Sequence, residues 1–208
     1  MSNFTYLIAG EVGKRGAVID PGWAGSEVDR IIDEALNSDI VISHVIITHC
    51  HSDHIGGLSD IIRKTGARVL LHEAEKDDAA GMGYAPDRLV KDGEVINLDG
   101  LDLKIIHTPG HSAGSICLYA KDKLFTGDTL FVGGCGRADL PGGNPETLYD
   151  SLKNKLMLLP DNTEIYPGHN YGVTITSTIG KEKKSNRYLK CRSFNEFFRI
   201  RMGYSCSE

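Results

Sequence analysis

Thr48-His49-Cys50-His51-Ser52-Asp53-His54-Ile55-Gly56-Gly57 follows an apolar run over residues 40–48 and precedes a helical pattern over 53–65 that stops at Gly66. Three histidines and an aspartate fall within six residues, at the junction of a buried strand and a helix. Imidazole and carboxylate are the donors that zinc and iron take. On an extended segment His49 and His51 alternate to the same side, whereas Asp53 and His54, at the start of the helix, point in different directions. Four donors in that geometry are more than one closed tetrahedral site can readily use. A hydrophilic turn with Asp53 as a helix cap explains the carboxylate and leaves the three imidazoles unexplained.

On the N-terminal side, residues 3–8 and 17–19 read as two short strands joined by a Gly-rich turn, the second ending at Asp20-Pro21-Gly22. Val28, Ile31, Ile32, Ala35 and Leu36 have helical spacing, behind a Ser cap at Ser26. On the C-terminal side, residues 69–72 form a strand, 95–98 and 101–107 a hairpin around Asp99-Gly100, and 116–120 and 123–125 a second around Lys121-Asp122. Residues 145–159 read as a helix with Pro145 in its first turn, 164–166 as a strand, and 193–202 as a closing helix. Strands interleaved with helices imply a layered α/β fold, with helices covering a sheet or a pair of sheets. No internal repeat or low-complexity linker marks a second domain. The expectation is one domain over 1–208 with a short basic helical tail at about 177–208.

Three more potential ligands share one setting. His111 follows strand 101–107 across Thr108-Pro109-Gly110, Asp128 follows Leu124-Phe125-Thr126-Gly127, and His169 follows Ile165-Tyr166-Pro167-Gly168. Each lies just past the C-terminal end of a strand, where α/β folds gather their ligands, and just after a glycine that allows close backbone approach. With the cluster they make seven donors, five His and two Asp. Seven donors suit two metal ions with open positions. Such a pair lowers the pKa of a shared water toward ~7 and polarises the carbonyl it attacks, so no Ser or Cys nucleophile is needed.

Composition narrows the partners. The chain has 208 residues, 40% hydrophobic and 25% charged, enough for a real core. The longest apolar run, 41–47, is broken by Ser43 and His44 and falls far short of the ~18 residues of a membrane span. The start Met1-Ser2-Asn3-Phe4-Thr5-Tyr6 has neither the basic residues nor the apolar stretch of a secretion signal, so the expected location is cytoplasmic. A net charge of −5 argues against general nucleic-acid binding. Residues 181–208 carry a net +5, either a solvated helix face or a basic lip for an anionic substrate. The five cysteines, Cys50, Cys117, Cys135, Cys191 and Cys206, are widely spaced with no C-x-x-C pair, and are expected as free thiols. Cys50 and Cys135 are read as bystanders to the site, and His44, His72 and His107 as strand residues rather than ligands.

The H-x-H-x-D-H motif at His49 to His54, with the spaced His111, Asp128 and His169 and the early Val18-Ile19-Asp20-Pro21-Gly22, resembles the metallo-β-lactamase superfamily over nearly the whole chain. The resemblance implies an αββα sandwich, two mixed sheets with helices on the outer faces and metals at one edge. It implies two divalent metal ions, zinc first, with iron or a mixed iron–zinc pair as alternatives. His49, His51 and His111 would hold one, and Asp53, His54 and His169 the other. Asp128 would bridge them, and Asp53 would also orient the attacking water.

Thr126-Gly127-Asp128-Thr129-Leu130-Phe131, Gly134-Cys135-Gly136-Arg137, the Leu148-Tyr149-x-Ser151-Leu152 run and Leu159-Pro160-Asp161 look like the glyoxalase II branch, which hydrolyses glutathione thioesters. That implies cleavage of a small acyl-thiol such as S-D-lactoylglutathione by a metal-bridged hydroxide. Thr48-His49-Cys50-His51, Arg137-Ala138-Asp139 and the 177–183 segment are more similar to the related persulfide dioxygenases. Those would hold a single iron through His49, His111 and Asp128. The chain departs from both patterns at Asn186-Arg187, where relatives have Asn-Pro, and 208 residues leave no room for the extended helical domain that binds glutathione in full-length glyoxalase II. Another thiol carrier therefore stays open. Arg137, in a Gly-rich loop, is the expected anchor for a substrate carboxylate or else one half of a loop salt bridge. Tyr171 lines the pocket or packs beside it. The sequence leaves the oligomeric state open.

Overall fold

The computed structural model of the chain describes residues 3–10 and 12–203. Cys206, among the cysteines expected as free thiols, lies outside the described residues. The chain divides into two compact units, Met1–Ile105 and Ile106–Glu208.

In the first unit β1 (Tyr6–Ala9) and β2 (Arg15–Ile19) form an antiparallel pair with Tyr6 opposite Ile19. The chain then passes through α1 (Ser26–Asn37) to β3 (Val41–Ile46), through α2 (Ser52–Ile55) and α3 (Leu58–Thr65) to β4 (Arg68–His72), and through α4 (Lys76–Gly81) to β5 (Arg88–Val90). These crossovers leave β2 to β5 parallel, in the order β1-β2-β3-β4-β5. The sheet is therefore mixed, and its parallel strands are buried on both faces. Val18, Val45 and Val69 share one face with Val28 and Ala35 of α1 and Leu58 and Ile61 of α3. Ala17, Ile19, Ile46 and Leu70 alternate onto the other face, and all are buried. Burying Val28 completely contributes roughly 1.5–3 kcal/mol, which is how the apolar stripe of α1 holds that helix to the sheet.

Two expectations change here. Ser26 does not cap α1: the N-cap is Gly25, at φ 79° with no side chain to offer, and the Asp60 carboxylate receives the Gly25 N–H instead. The helix expected over 53–65 is two helices, broken at Gly56-Gly57. A Cβ on Gly57 would stand 2.9 Å from the Pro21 carbonyl oxygen and 3.0 Å from that of Trp23, and the Gly57 N–H donates to Gly22 O at 2.6 Å. The Pro21–Trp23 turn thus takes a hydrogen bond that a continuous helix would keep for itself. The hairpin β6 (Val95–Leu98) and β7 (Leu101–His107) is as expected, with Asp99 and Gly100 both at positive φ in a two-residue turn. β7 carries the chain past the boundary between the units.

In the second unit β8 (Ile116–Ala120) and β9 (Lys123–Gly127) form the second expected hairpin, and a short hairpin, β10 (Leu130–Phe131) with β11 (Gly134–Cys135), follows. The helix expected over 145–159 starts as α5 (Pro145–Asp150), with Pro145 at N1 and the Asn144 side chain accepting from the N–H groups of Glu146 and Thr147. It continues as a π-helical turn, Ser151–Lys155, and a 3₁₀ turn, Leu156–Leu158. β12 (Glu164–Pro167) lies parallel to β9 and antiparallel to β13 (Ser177–Thr178), so this sheet too is mixed. The basic tail is α6 (Ile179–Ser185) and α7 (Phe194–Met202). It is part of the unit's own core: Ile179, Leu189 and Phe197 pack with Leu124, Leu148, Leu152 and Ile165.

Candidate metal centre

The first unit holds four of the seven proposed ligands, all from the segment after β3. Ile47 is buried, the chain bends at Thr48 before His49, and His51 is the N-cap of α2 at φ −71°, ψ 146°. The His49 ring lies 4.6 Å from that of His51, edge to face, and 4.1 Å from that of His54. The ligand atoms of His49 and His51, of His49 and His54, and of Asp53 and His54 lie within 4.8 Å of each other. Nε2 of His54 stands 4.0 Å from the Asp53 carboxylate. His49 and His54 are fully buried and Asp53 nearly so.

Asp20 sets the protonation of this group. Its Oδ1 accepts from the Thr48 N–H at 2.8 Å, and its Oδ2 accepts from the Thr48 hydroxyl at 2.7 Å and from Nδ1 of His54 at 2.9 Å. A carboxylate accepts only, so Nδ1 of His54 carries the proton and Nε2 the lone pair. The Thr48 hydroxyl spends its one proton on Asp20. Its 3.1 Å contact with Nδ1 of His49 therefore uses the hydroxyl oxygen as acceptor, and His49 too is left with its lone pair on Nε2. Beneath the loop, buried Glu75 accepts the Cys50 N–H at 2.9 Å, and burial with that carboxylate pushes the Cys50 thiol far above the ordinary range. Cys50 is held in place by these contacts, with its thiol kept protonated.

The second unit holds the other three. β9 and β12 end together: the Gly168 N–H donates to Gly127 O at 2.8 Å, and the residue that follows each glycine is a proposed ligand, Asp128 and His169. Oδ2 of Asp128 stands 3.3 Å from Nε2 of His169 and 3.6 Å from Nε2 of His111, so two imidazoles address one carboxylate oxygen. Nδ1 of His111 donates to the Arg137 carbonyl at 2.8 Å, which again fixes the lone pair on Nε2. Gly136 makes the arrangement possible, since a Cβ there would sit 1.9 Å from Asp128 O and 3.2 Å from Cβ of His111.

Arg137 acts on His111 through its backbone, while its guanidinium grips both Asp139 carboxylate oxygens, at 2.9 and 2.8 Å. Those hydrogen bonds hold the Asp139 carboxyl down at about 2. Tyr171 is exposed, its ring stacked on that of His169 at 4.8 Å and 12° and edge-on to Phe131 at 5.1 Å. The three histidines set aside as non-ligands have other contacts: His44 with Ser43, His72 with the Ala74 N–H, and His107 with the Ala113 carbonyl. Cys117 and Cys135 are buried, which pushes their thiols up to about 11 and about 12. Asp20 and Glu75 are the functional supports that the sequence did not single out. Asp20 carried a signal, an acid at the end of an apolar strand; Glu75 carried none.

The donor set suits divalent zinc or iron: neutral imidazoles with Nε2 presented, and carboxylates beside them. The metallo-beta-lactamase superfamily model matches residues 1–169. Hydroxyacylglutathione hydrolase GloC of Haemophilus influenzae is 36% identical over 197 residues, covering 86% of this chain and 90% of that protein. The crystal structure of ETHE1 from Myxococcus xanthus superposes with a TM-score of 0.89 at 33% identity, covering 100% of this chain and 88% of that one. TTHA1623, solved in a di-iron-bound form, gives a TM-score of 0.72 at 29% identity, covering 88% and 92%.

Proposed function

The chain belongs to the metallo-β-lactamase superfamily, an α/β fold of mixed sheets and helices, and is an enzyme of its metallohydrolase and glyoxalase II-like branch; from that membership we propose that it hydrolyses a small acyl-thiol ester with two divalent metal ions. The observation that carries the proposal is the fixing of Nδ1 in His49, His54 and His111 by protein oxygens, which turns three lone pairs outward beside Asp53 and Asp128. The substrate class is supported by the likeness to hydroxyacylglutathione hydrolase GloC.

All seven residues form one ligand set in this reading, within a single catalytic domain over 1–208. His49, His51 and His111 would hold one metal and Asp53, His54 and His169 the other, with Asp128 as a ligand shared between them. When bound, the pair supplies a strongly acidified water and a Lewis acid for the thioester carbonyl. Asp53, next to His54 and anchored by its carbonyl to the Asn3 amide, would orient that water with its carboxylate. Asp20 and Thr48 keep His49 and His54 in one tautomer throughout, so neither competes for the water's proton. Arg137 receives a carboxylate of the thiol carrier by exchanging Asp139 for it, two oxygens for two oxygens. Tyr171 flanks the acyl group. Among the described residues no helix is long and apolar enough to cross a membrane, and a cytoplasmic acyl-thiol is the proposed substrate.

A second reading, a mono-iron persulfide dioxygenase using His49, His111 and Asp128, is favoured by the likeness to ETHE1 over the full chain. Metal analysis of natively purified protein, run beside an S-D-lactoylglutathione assay and an oxygen electrode with glutathione persulfide, separates them. Two metals and thioester cleavage without oxygen uptake support hydrolysis. One iron with oxygen uptake and no thioester cleavage refutes it.

A further inference from the structure

At the end of the first unit's sheet remote from the histidine cluster, a cavity of about 340 Å³ opens between Arg15, Ser43, His44, Thr65, Gly66 and Arg68. We propose that it binds a small dianionic oxyanion, free phosphate or the terminal phosphoryl group of a metabolite, between Arg15 and Arg68.

Strand register and the cavity bring the cations together. His44 on β3 pairs with Arg68 on β4, while the β2–β3 register shifts between Gly16 and Ala17, so Arg15 stands opposite Val41 and meets His44 and Arg68 as a fellow lining residue of the cavity. In a parallel sheet register partners point to the same side, as do residues two apart. Arg88, the first residue of β5, is opposite Leu70 and so continues the row. Three neighbouring strands thus present His44, Arg68 and Arg88 on the same face, and Arg15, the first residue of β2, joins His44 and Arg68 at the cavity. The row stands against a background of net −10 over residues 1–180.

Arg88 is neutralised by an ion pair with Glu94. Among the described residues no carboxylate makes an ion pair with Arg15 or Arg68. The Asp99 carboxylate accepts the Arg15 backbone N–H at 3.2 Å. The hydroxyls in the cavity are already engaged: Ser43 donates to Gly16 O and Thr65 to Ile61 O. His44 gives its Nδ1 proton to Ser43, which leaves Nε2 for the cavity. Burial and then Arg68, Arg15 and Arg88 hold the His44 pKa below its usual value, with no acid acting against them. The cavity therefore presents two guanidinium groups that no described carboxylate pairs with. Two guanidinium forks are what bidentate recognition of a phosphate uses. The site is separate from the metal ligands: His44 and His49 are five residues apart, roughly 16 Å in extended chain.

The test is titration of metal-loaded, ¹⁵N-labelled protein with inorganic phosphate at pH 7, read from the amide shifts of residues 43–45 and 65–68. A saturable shift in the millimolar range or below, weakened about tenfold or more in Arg15→Gln and in Arg68→Gln, is expected. Neither arginine belongs to the metal centre, so metal content and hydrolytic rate stay unchanged in both variants. A parallel titration with glycerol phosphate distinguishes the sources: tighter binding than phosphate identifies a phosphorylated metabolite, and equal binding the free ion. A shift that grows linearly without saturating, one confined to residues 49–57, or one indifferent to both substitutions overturns the proposal.

Discussion

Replacing Asp20 by Asn tests the support beneath the first unit's metal ligands. The carboxylate accepts three hydrogen bonds, two from Thr48 and one from Nδ1 of His54. An amide keeps one accepting oxygen and makes the other position a donor. With its oxygen toward the Thr48 N–H, the new NH₂ faces the Thr48 hydroxyl and His54. The hydroxyl can turn to accept, but His54 must move its proton from Nδ1 to Nε2, the atom a metal needs. Turning the hydroxyl also takes its lone pair from Nδ1 of His49, 3.1 Å away. A lost hydrogen bond to a charged group costs about 1.5–3 kcal/mol. At about 1.4 kcal/mol per decade that is roughly 10–100-fold in metal affinity, the range found when a residue behind a metal ligand is changed. Backbone strain does not confuse the result, because Asp20 sits at φ 50° and Asn tolerates that region as well as Asp does. The assay is chelator competition with metal counted per chain, and circular dichroism checks the fold. An Asp20→Asn protein that folds and binds metal within twofold of the parent chain refutes the tautomer argument.

Gly136→Ala places a methyl group on the Asp128 carbonyl and against His111; it should destabilise the chain by about 1–3 kcal/mol or more in urea unfolding and lower metal content. Gly133→Ala, at φ 71° with nothing within 4 Å, should cost only the ~1–2 kcal/mol of the left-handed backbone and keep its metal. In the Arg137–Asp139 pair the folded carboxyl is held at about 2, below its ordinary ~3.9, so the pair's contribution is full above the ordinary value and is lost as pH falls toward about 2. Both side chains are about half exposed and the contribution is under ~1 kcal/mol. An NMR titration of Asp139 should show its midpoint rise toward the ordinary value in Arg137→Gln, and an unmoved midpoint would sink the assignment. Cys50, Cys117, Cys135 and Cys191 should stay unmodified by a thiol reagent at pH 8 in the native protein and react after denaturation. Peptide mass mapping reads this, and fast native labelling of any of the four counts against their reading as bystanders.

The elements legible in the sequence were those whose cause is local. The Asp99-Gly100 turn, the helix Ser26–Asn37 and the Asn144-Pro145 helix start each carry their reason within a few residues. What could not be read came from distant chain. The split between α2 and α3 is imposed by carbonyls at positions 21–23, and Ile55, Leu58, Ile61 and Ile62 fit an unbroken helix equally well. β5 and α4 went unassigned because their apolar content is slight, with three strand residues and one buried position in the helix. The short β10–β11 hairpin depends on Asn186, whose buried amide donates to Gly134 O at 2.9 Å from far along the chain.

The candidate site divides the same way, along the line between ligand and support. Ligands are legible because histidine is scarce and five of eight follow strand ends in one pattern. Supports are common residue types, and only strand pairing reveals them. β2 and β3 run parallel with Ile19 opposite Ile46, so the next steps along the register carry Asp20 toward residues 47 and 48. Given that pairing, the contact of Asp20 with Thr48 is a geometric consequence, and with it the proton on His54. The pairing rests in turn on α1, whose buried Val28 and Ala35 bring β3 back beside β2. The tautomer of His54, a proposed ligand, is therefore held in place in part by the apolar face of α1. Weakening that face, as in Val28→Ala, should loosen the Asp20–Thr48–His54 contacts together, and with them the metal, before it unfolds the chain.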